Sequence, residues 1–257
     1  MTASVLRPDP WTRAPTVLER AVSVVLWGFG VAWLVPMMAV MMGVALVVPS
    51  DRTDWLNRLY CWGQVRLTGA KWRAVVDPQV DSDTPYIFAC NHVNLLDHVT
   101  MYNATPHFKQ GVELAAHFKI PVYGWFMKQR GTIGVHKGRR DQMERLTADV
   151  RAELGRAHSI LVFPEGTRTK DGHVGRFRKG FFRISRTVDV PVVPVTVTGM
   201  YPILKKGRLL FRWGSEVTVW VDAPMRAREG EDDRAFAERV QAVVAGRVQD
   251  WWEGGHG

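Results

Sequence analysis

Hydrophobic and polar positions divide the chain into an uncharged block and a longer region of alternating short and long periods. Residues 21–50 carry no charged side chain and are mostly aliphatic. About 20 apolar residues suffice to cross a bilayer core as a helix, so this block predicts a membrane-embedded helical segment. It is too long and too late for a simple signal peptide, and no small-residue cleavage pattern follows an apolar stretch of about 7 to 15 residues. Gly28, Gly30 and Pro36 fall near its middle, so one kinked span and a hairpin that dips in and returns both fit the pattern. Arg7, Arg13 and Arg20 precede the block while Arg52 and Arg58 follow it, and cationic flanks at both ends favour the hairpin.

After Pro49, Trp55, Leu59, Trp62 and Val65 recur at helical spacing and predict an amphipathic helix over residues 51–67. Its Trp-rich face suits either the membrane interface or a packed core. From Lys71 onward the period changes. Short apolar runs at residues 72–76, 85–90, 132–135, 159–163, 192–197 and 216–221 read as strands. Met143, Leu146, Val150 and Leu154 mark a helix across residues 140–157, and Phe236, Val240, Val244 and Val248 mark another near the C-terminus. Such alternation predicts an α/β fold: a central mixed β-sheet flanked by helices, preceded by the N-terminal hydrophobic membrane-anchoring segment. The expected organisation is a basic tail over residues 1–20, the membrane-embedded segment over 21–50 and one catalytic domain over 51–257.

Composition narrows the partners. The 257 residues are 46% hydrophobic and 23% charged, which suits a folded domain with a substantial core. Thirty-four Lys and Arg against 25 Asp and Glu leave a net charge of +9, favouring an anionic partner such as a phosphate ester or lipid head groups. No nucleic-acid-binding motif accompanies that charge, so nucleic acid is not an expected partner. Cys61 and Cys90 lack metal-type spacing and read as free thiols, and no metal site is expected.

Two polar clusters carry the chemistry. Asn91-His92-Val93-Asn94-Leu95-Leu96-Asp97 follows the apolar run at 86–90, where a strand would leave the sheet. A short turn across five residues brings the Asp97 carboxylate to one imidazole nitrogen of His92 and leaves the other free to accept a proton. Phe163-Pro164-Glu165-Gly166-Thr167-Arg168 follows a second apolar run. Gly166 permits a tight turn, Arg168 offers a planar cationic fork for phosphate, and Glu165 can hold a cation or a hydroxyl. Cys90 adjoins the base, but its apolar run predicts a buried, inert thiol. Arg176, Arg178, Lys179 and Arg183 with Phe177, Phe181 and Phe182 predict a basic amphipathic helix, suited to anionic head groups, a carrier protein or plain solvent.

With His92 and Asp97 in a His-four-residues-Asp block and residues 163–168 in a Phe-Pro-Glu-Gly-Thr-Arg block, the chain resembles the glycerol-phosphate acyltransferase superfamily. The resemblance is to its bacterial 1-acylglycerol-3-phosphate acyltransferases and spans roughly residues 70–200. An intermediate block is matched more loosely by Gly131-Thr132-Ile133-Gly134-Val135-His136-Lys137, with Lys137 where the family usually has Arg, and Arg139 and Arg140 close behind. A proline-paired strand is matched by Val190-Pro191-Val192-Val193-Pro194-Val195. One departure is Ala115, which stands where members often carry lysine a few residues before Ile120-Pro121.

The resemblance implies that His92 takes the proton from a glycerol hydroxyl attacking an acyl thioester, with Asp97 orienting His92. Arg168 and Lys137, with Arg139 nearby, would hold the acceptor phosphate. Glu165 and Thr167 would order the loop and Gly166 would let the backbone approach. No cofactor is implied beyond acyl-CoA or acyl carrier protein as co-substrate. The implied partners are a lyso-lipid acceptor, membrane lipid and, as one donor, acyl carrier protein. The setting is a bacterial inner membrane with the catalytic domain on the cytoplasmic face, because the thioesters are made there. Two other readings are a different lyso-lipid acceptor, kept open by Ala115, and a catalytically silent protein that binds anionic membranes.

Overall fold

The computed structural model describes residues 7–136, 138 and 140–254. Lys137 and Arg139 therefore lie outside the described residues. The uncharged block forms most of one helix, α1 (Val17–Val44), which begins at a capping box between Thr16 and Glu19 and runs on through Gly28, Gly30 and Pro36. It does not reverse within the segment. At a rise of about 1.5 Å per residue its 28 residues extend about 42 Å, more than the roughly 30 Å of a bilayer core. Only 11% of its most apolar window is buried, while Val24, Val25, Phe29, Val31, Val35 and Val40 are exposed. A soluble core helix would bury these side chains.

The chain turns after α1 and returns as α2 (Asp54–Leu67), packed on α1. Gly63 makes the close approach possible: a Cβ there would lie 2.3 Å from the Trp33 indole, whose N–H donates to the Tyr60 carbonyl at 3.1 Å. The hairpin expected within residues 21–50 is not formed: that block is a single helix to Val44, and α2, which packs on it, lies in the region expected to be the catalytic domain. The predicted stripe on α2 divides, since Trp55, Leu59 and Trp62 are exposed whereas Val65 is buried.

Seven strands form one sheet in the order β1 (Lys71–Val76), β7 (Glu216–Val221), β6 (Val192–Thr198), β2 (Ile87–Cys90), β5 (Ser159–Val162), β3 (Lys109–Leu114), β4 (Ile133–Val135). All pairings are parallel except β6 with β7, so the sheet is mixed, as the alternation predicts. The central strands β2, β5 and β6 are buried on both faces, as parallel strands covered by helices must be. Side chains alternate between two layers: Ile87 and Ala89 pack with Leu146, Val150, Phe182, Phe236, Val240 and Val244, whereas Phe88 and Cys90 pack with Met101, Met200 and Ile203.

The first layer is covered by α5 (Gln142–Leu154), α6 (Gly180–Val188) and α8 (Asp233–Trp252), and the second by α2, α3 (Asp97–Tyr102) and α7 (Met200–Ile203). A 3₁₀ turn (Ala115–Lys119) and α4 (Tyr123–Gln129) connect β3 to β4. In the basic amphipathic segment only residues from Gly180 are helical, so Arg176, Arg178 and Lys179 precede α6 rather than riding on it.

Candidate active site

The parallel register of β2 and β5 brings the two motifs together. Ala89 pairs with Val162, so His92 and Glu165 both emerge three residues beyond a matched pair at the same end of the sheet. The backbones are then tied directly. His92 N–H donates to Glu165 Oε1 at 2.8 Å, Thr169 N–H donates to the His92 carbonyl at 2.8 Å, and the His92 ring stacks on Phe163 with centroids 4.2 Å apart.

Asp97 is fully buried as the first residue of α3. Its Oδ2 accepts from His92 Nδ1 at 2.8 Å, from Val93 N–H at 2.6 Å and from Asn94 N–H at 2.9 Å. A carboxylate can only accept these bonds, so Nδ1 carries the proton and Nε2 keeps a lone pair for a substrate proton. The His92 side chain is 23% exposed. The base can therefore meet a substrate while its partner stays dry.

Two asparagines hold this loop, and the motif reading assigned them no role. Asn91 donates through Nδ2 to the Val197 carbonyl at 3.1 Å and accepts the Val197 N–H at 2.8 Å, fastening the loop to β6. Asn94 donates to the Met200 carbonyl at 2.8 Å and accepts the Leu96 N–H at 2.6 Å. The signal available in sequence was two amides flanking a histidine at a strand end, where polar side chains need stated partners.

Glu165 is 6% exposed, and its second oxygen accepts the Gly175 N–H at 2.8 Å. Burial pushes its carboxyl up to about 7, against the pull of the His92 and Gly175 N–H groups. Gly166 takes φ 68°, a left-handed turn, and a Cβ there would lie 2.9 Å from the Arg178 guanidinium. The Thr167 hydroxyl and the Arg168 carbonyl each accept from Lys206 Nζ at 2.7 Å. The structure therefore gathers His92, Asp97, Glu165, Gly166, Thr167 and Arg168, and adds Lys206 from the segment after α7. Cys90 is fully buried, and burial pushes its thiol well above the usual range, which leaves it inert as expected.

A cleft of about 1600 Å³ opens elsewhere, along β1 and β7 between Trp62, Trp72, Trp213 and Trp220. No residue of the two motifs lines it. Reactive geometry rather than cavity size locates the candidate site. Among the described residues no group of three or more His, Cys, Asp or Glu side chains gathers as metal ligands would.

Residues 73–198 match the family model described as Acyltransferase. The chain is 36% identical over 127 residues to the chloroplastic 1-acyl-sn-glycerol-3-phosphate acyltransferase BAT2 of Brassica napus, an alignment covering 49% of this chain and 36% of that protein. It is 28% identical over 163 residues to a 1-acyl-sn-glycerol-3-phosphate acyltransferase of Chlamydomonas reinhardtii, covering 63% of this chain and 48% of the relative. The chain thus spans about a third to a half of the length of these curated relatives. The crystal structure of the 1-acyl-sn-glycerophosphate acyltransferase PlsC from Thermotoga maritima superposes with a TM-score of 0.73 at 20% identity, covering 91% of this chain and 97% of that one. At that identity the likeness shows a shared fold. Over residues 73–198 the chain is thus similar to the Acyltransferase family, and its fold is shared with the Thermotoga maritima acyltransferase.

Proposed function

We propose that this protein is a membrane-bound O-acyltransferase that moves an acyl chain from acyl-CoA or acyl carrier protein to the free hydroxyl of 1-acylglycerol-3-phosphate, giving phosphatidic acid. The observation that carries the reading is the His92 imidazole, oriented through Nδ1 by buried Asp97, with Nε2 free beside the turn at residues 163–168. Nε2 takes the hydroxyl proton as the hydroxyl oxygen bonds to the thioester carbonyl carbon. Collapse of the tetrahedral adduct breaks the C–S bond, and the departing thiolate receives the proton from His92. Asp97 stays ionised and stabilises the imidazolium between these steps.

The apolar, exposed α1 and the lipid acceptors named for the relatives support a membrane setting. On this reading the chain belongs in a bacterial inner membrane, with residues after 50 on the cytoplasmic face where thioesters are made. Ala115, which opens the 3₁₀ turn after β3, favours a second reading with another lyso-lipid as acceptor. The test is acyl transfer by the reconstituted protein from labelled acyl-CoA or acyl carrier protein to lysophosphatidate, lysophospholipids and glycerol 3-phosphate, with His92→Ala alongside. Product on lysophosphatidate that the variant fails to make is the expected result. Product confined to another acceptor moves the assignment to the second reading, and product independent of His92 refutes both.

A further inference from the structure

Three cationic side chains meet one short turn of the site, and among the described residues none of them has a carboxylate partner. Lys206 Nζ donates to the Thr167 hydroxyl and to the Arg168 carbonyl, both neutral acceptors, at 2.7 Å. Arg178 brings its guanidinium against Gly166, with its carbon 2.9 Å and one terminal nitrogen 3.3 Å from where a Cβ would lie, and its backbone N–H donates to the Pro164 carbonyl at 2.9 Å. Arg168, between them in the turn, makes no side-chain hydrogen bond or ion pair to a described residue.

Two other cations in this region are paired, Lys205 with Asp9 at 3.9 Å and Arg186 with Asp233 at 2.7 Å. The carboxylate nearest in sequence, Glu165, has both oxygens turned to backbone N–H groups of residues 92 and 175. Three positive charges on one turn repel each other until an anion joins them. A doubly charged phosphate monoester offers enough acceptor oxygens for two guanidinium forks and an ammonium. An ammonium has three N–H donors, and Lys206 uses two on the turn, so one remains for a ligand.

We propose that Lys206 and Arg178 join Arg168 to form a phosphate-monoester site on the Gly166–Thr167–Arg168 turn, and that this site selects a phosphorylated acceptor. The inference rests on the acyltransferase reading above and extends it to two residues outside both motifs. Glu165 links the turn to the His92 backbone, so a phosphate bound there holds the glycerol hydroxyl on the side of the base. The ligand chemistry is shared with the phosphates of acyl-CoA, and the acceptor is the source assigned here.

The experiment compares kcat/KM on lysophosphatidate with kcat/KM on the monoacylglycerol of the same chain length, for the full-length protein in lipid and for Lys206→Met, Arg178→Met and Lys206→Arg. Lys205→Met is the control, because Lys205 pairs with Asp9. Loss of one charge-assisted contact, about 1.5–3 kcal/mol, should lower the preference for the phosphorylated acceptor roughly ten- to hundredfold in each Met variant. The loss should appear as a higher KM for lysophosphatidate, with the KM for acyl-CoA unmoved and most of the preference kept in Lys206→Arg. Equal losses on both acceptors would show that Lys206 and Arg178 merely brace the turn, and a higher KM for acyl-CoA would assign the site to the donor. Either result overturns the proposal. Should wild type acylate neither glycerolipid, the acyltransferase reading fails. Thermal stabilisation by glycerol 3-phosphate in wild type, lost in Lys206→Met, would still uphold the anion site, and its absence from wild type would refute it.

Discussion

Glu165→Gln tests whether the carboxyl beneath the catalytic loop titrates near neutral pH. Burial raises it from 4.5 to about 7. At about 1.4 kcal/mol per tenfold, ionising Glu165 costs about 3 kcal/mol more in the folded chain than in the unfolded one. The folded chain therefore keeps a proton that the unfolded chain loses, and the stabilisation from this group is complete below pH 4.5 and disappears as pH rises through about 7. Glutamine mimics the protonated carboxyl at every pH. The stability of Glu165→Gln relative to wild type should thus improve by about 2.5 kcal/mol between about pH 5 and about pH 8, whatever its offset at pH 5. For a chain of this size that is about 5–10 °C in the difference of the two Tm values. Thermal unfolding of both proteins in the same detergent at the two pH values measures it. Tm curves that stay parallel within about 1 °C would show that Glu165 keeps one protonation state throughout, and the argument from burial would fall.

Four further outcomes follow from the same geometry. His92→Ala should lose about 10²–10⁴-fold in acyl-transfer rate while keeping its circular dichroism spectrum, because only the ring supplies the base. Asp97→Asn isolates charge from shape: one amide oxygen can still accept from His92, Val93 and Asn94, so kcat should fall about 10²-fold with little change in KM, measured by steady-state kinetics. Lys109→Met should destabilise by about 3–5 kcal/mol in denaturant titration, since it leaves the carbonyls of Tyr102, Thr105 and His107 without the ammonium that now bonds all three. Gly166→Ala should cost about 1–2 kcal/mol by thermal unfolding, from the left-handed φ and the displaced Arg178.

What the sequence revealed, and what it hid, follows from how far each signal reaches along the chain. The strand at 87–90 and the stripe Phe236, Val240, Val244, Val248 were legible because burial there is apolar and periodic. Strand β3 was not: it begins Lys109-Gln110, and its burial depends on carbonyls and on an Arg130 backbone oxygen that reach Lys109 and Gln110 only in the folded chain. The His92–Asp97 pair was legible because one short turn joins it. Lys206 lies 39 residues from Thr167, and no local pattern announces that contact. The single turn of α7 brings the chain back beside the motif, and only tertiary structure shows it.

The join between α2 and the loop after α3 is likewise tertiary, and it bears on how the apolar helix α1 relates to the His92–Asp97 pair. Arg58 donates to the carbonyls of Thr105, Pro106 and His107 at 3.0, 2.6 and 2.9 Å, and its Nε bonds Asp54 at 2.8 Å. Asp54 in turn accepts from the Tyr102 hydroxyl at 2.5 Å, and Arg130 donates to that same hydroxyl at 2.8 Å. Tyr102 ends α3, and Asp97 begins it. A partly buried network in which each charge is bonded resists relative motion, because loosening one bond weakens its neighbours. The tilt of α2, set by its packing on α1, therefore passes through one six-residue helix to the carboxylate that orients His92. These bonds tie the position of the His92–Asp97 pair to α1 and α2, which on the proposed function suits an acceptor drawn from a membrane.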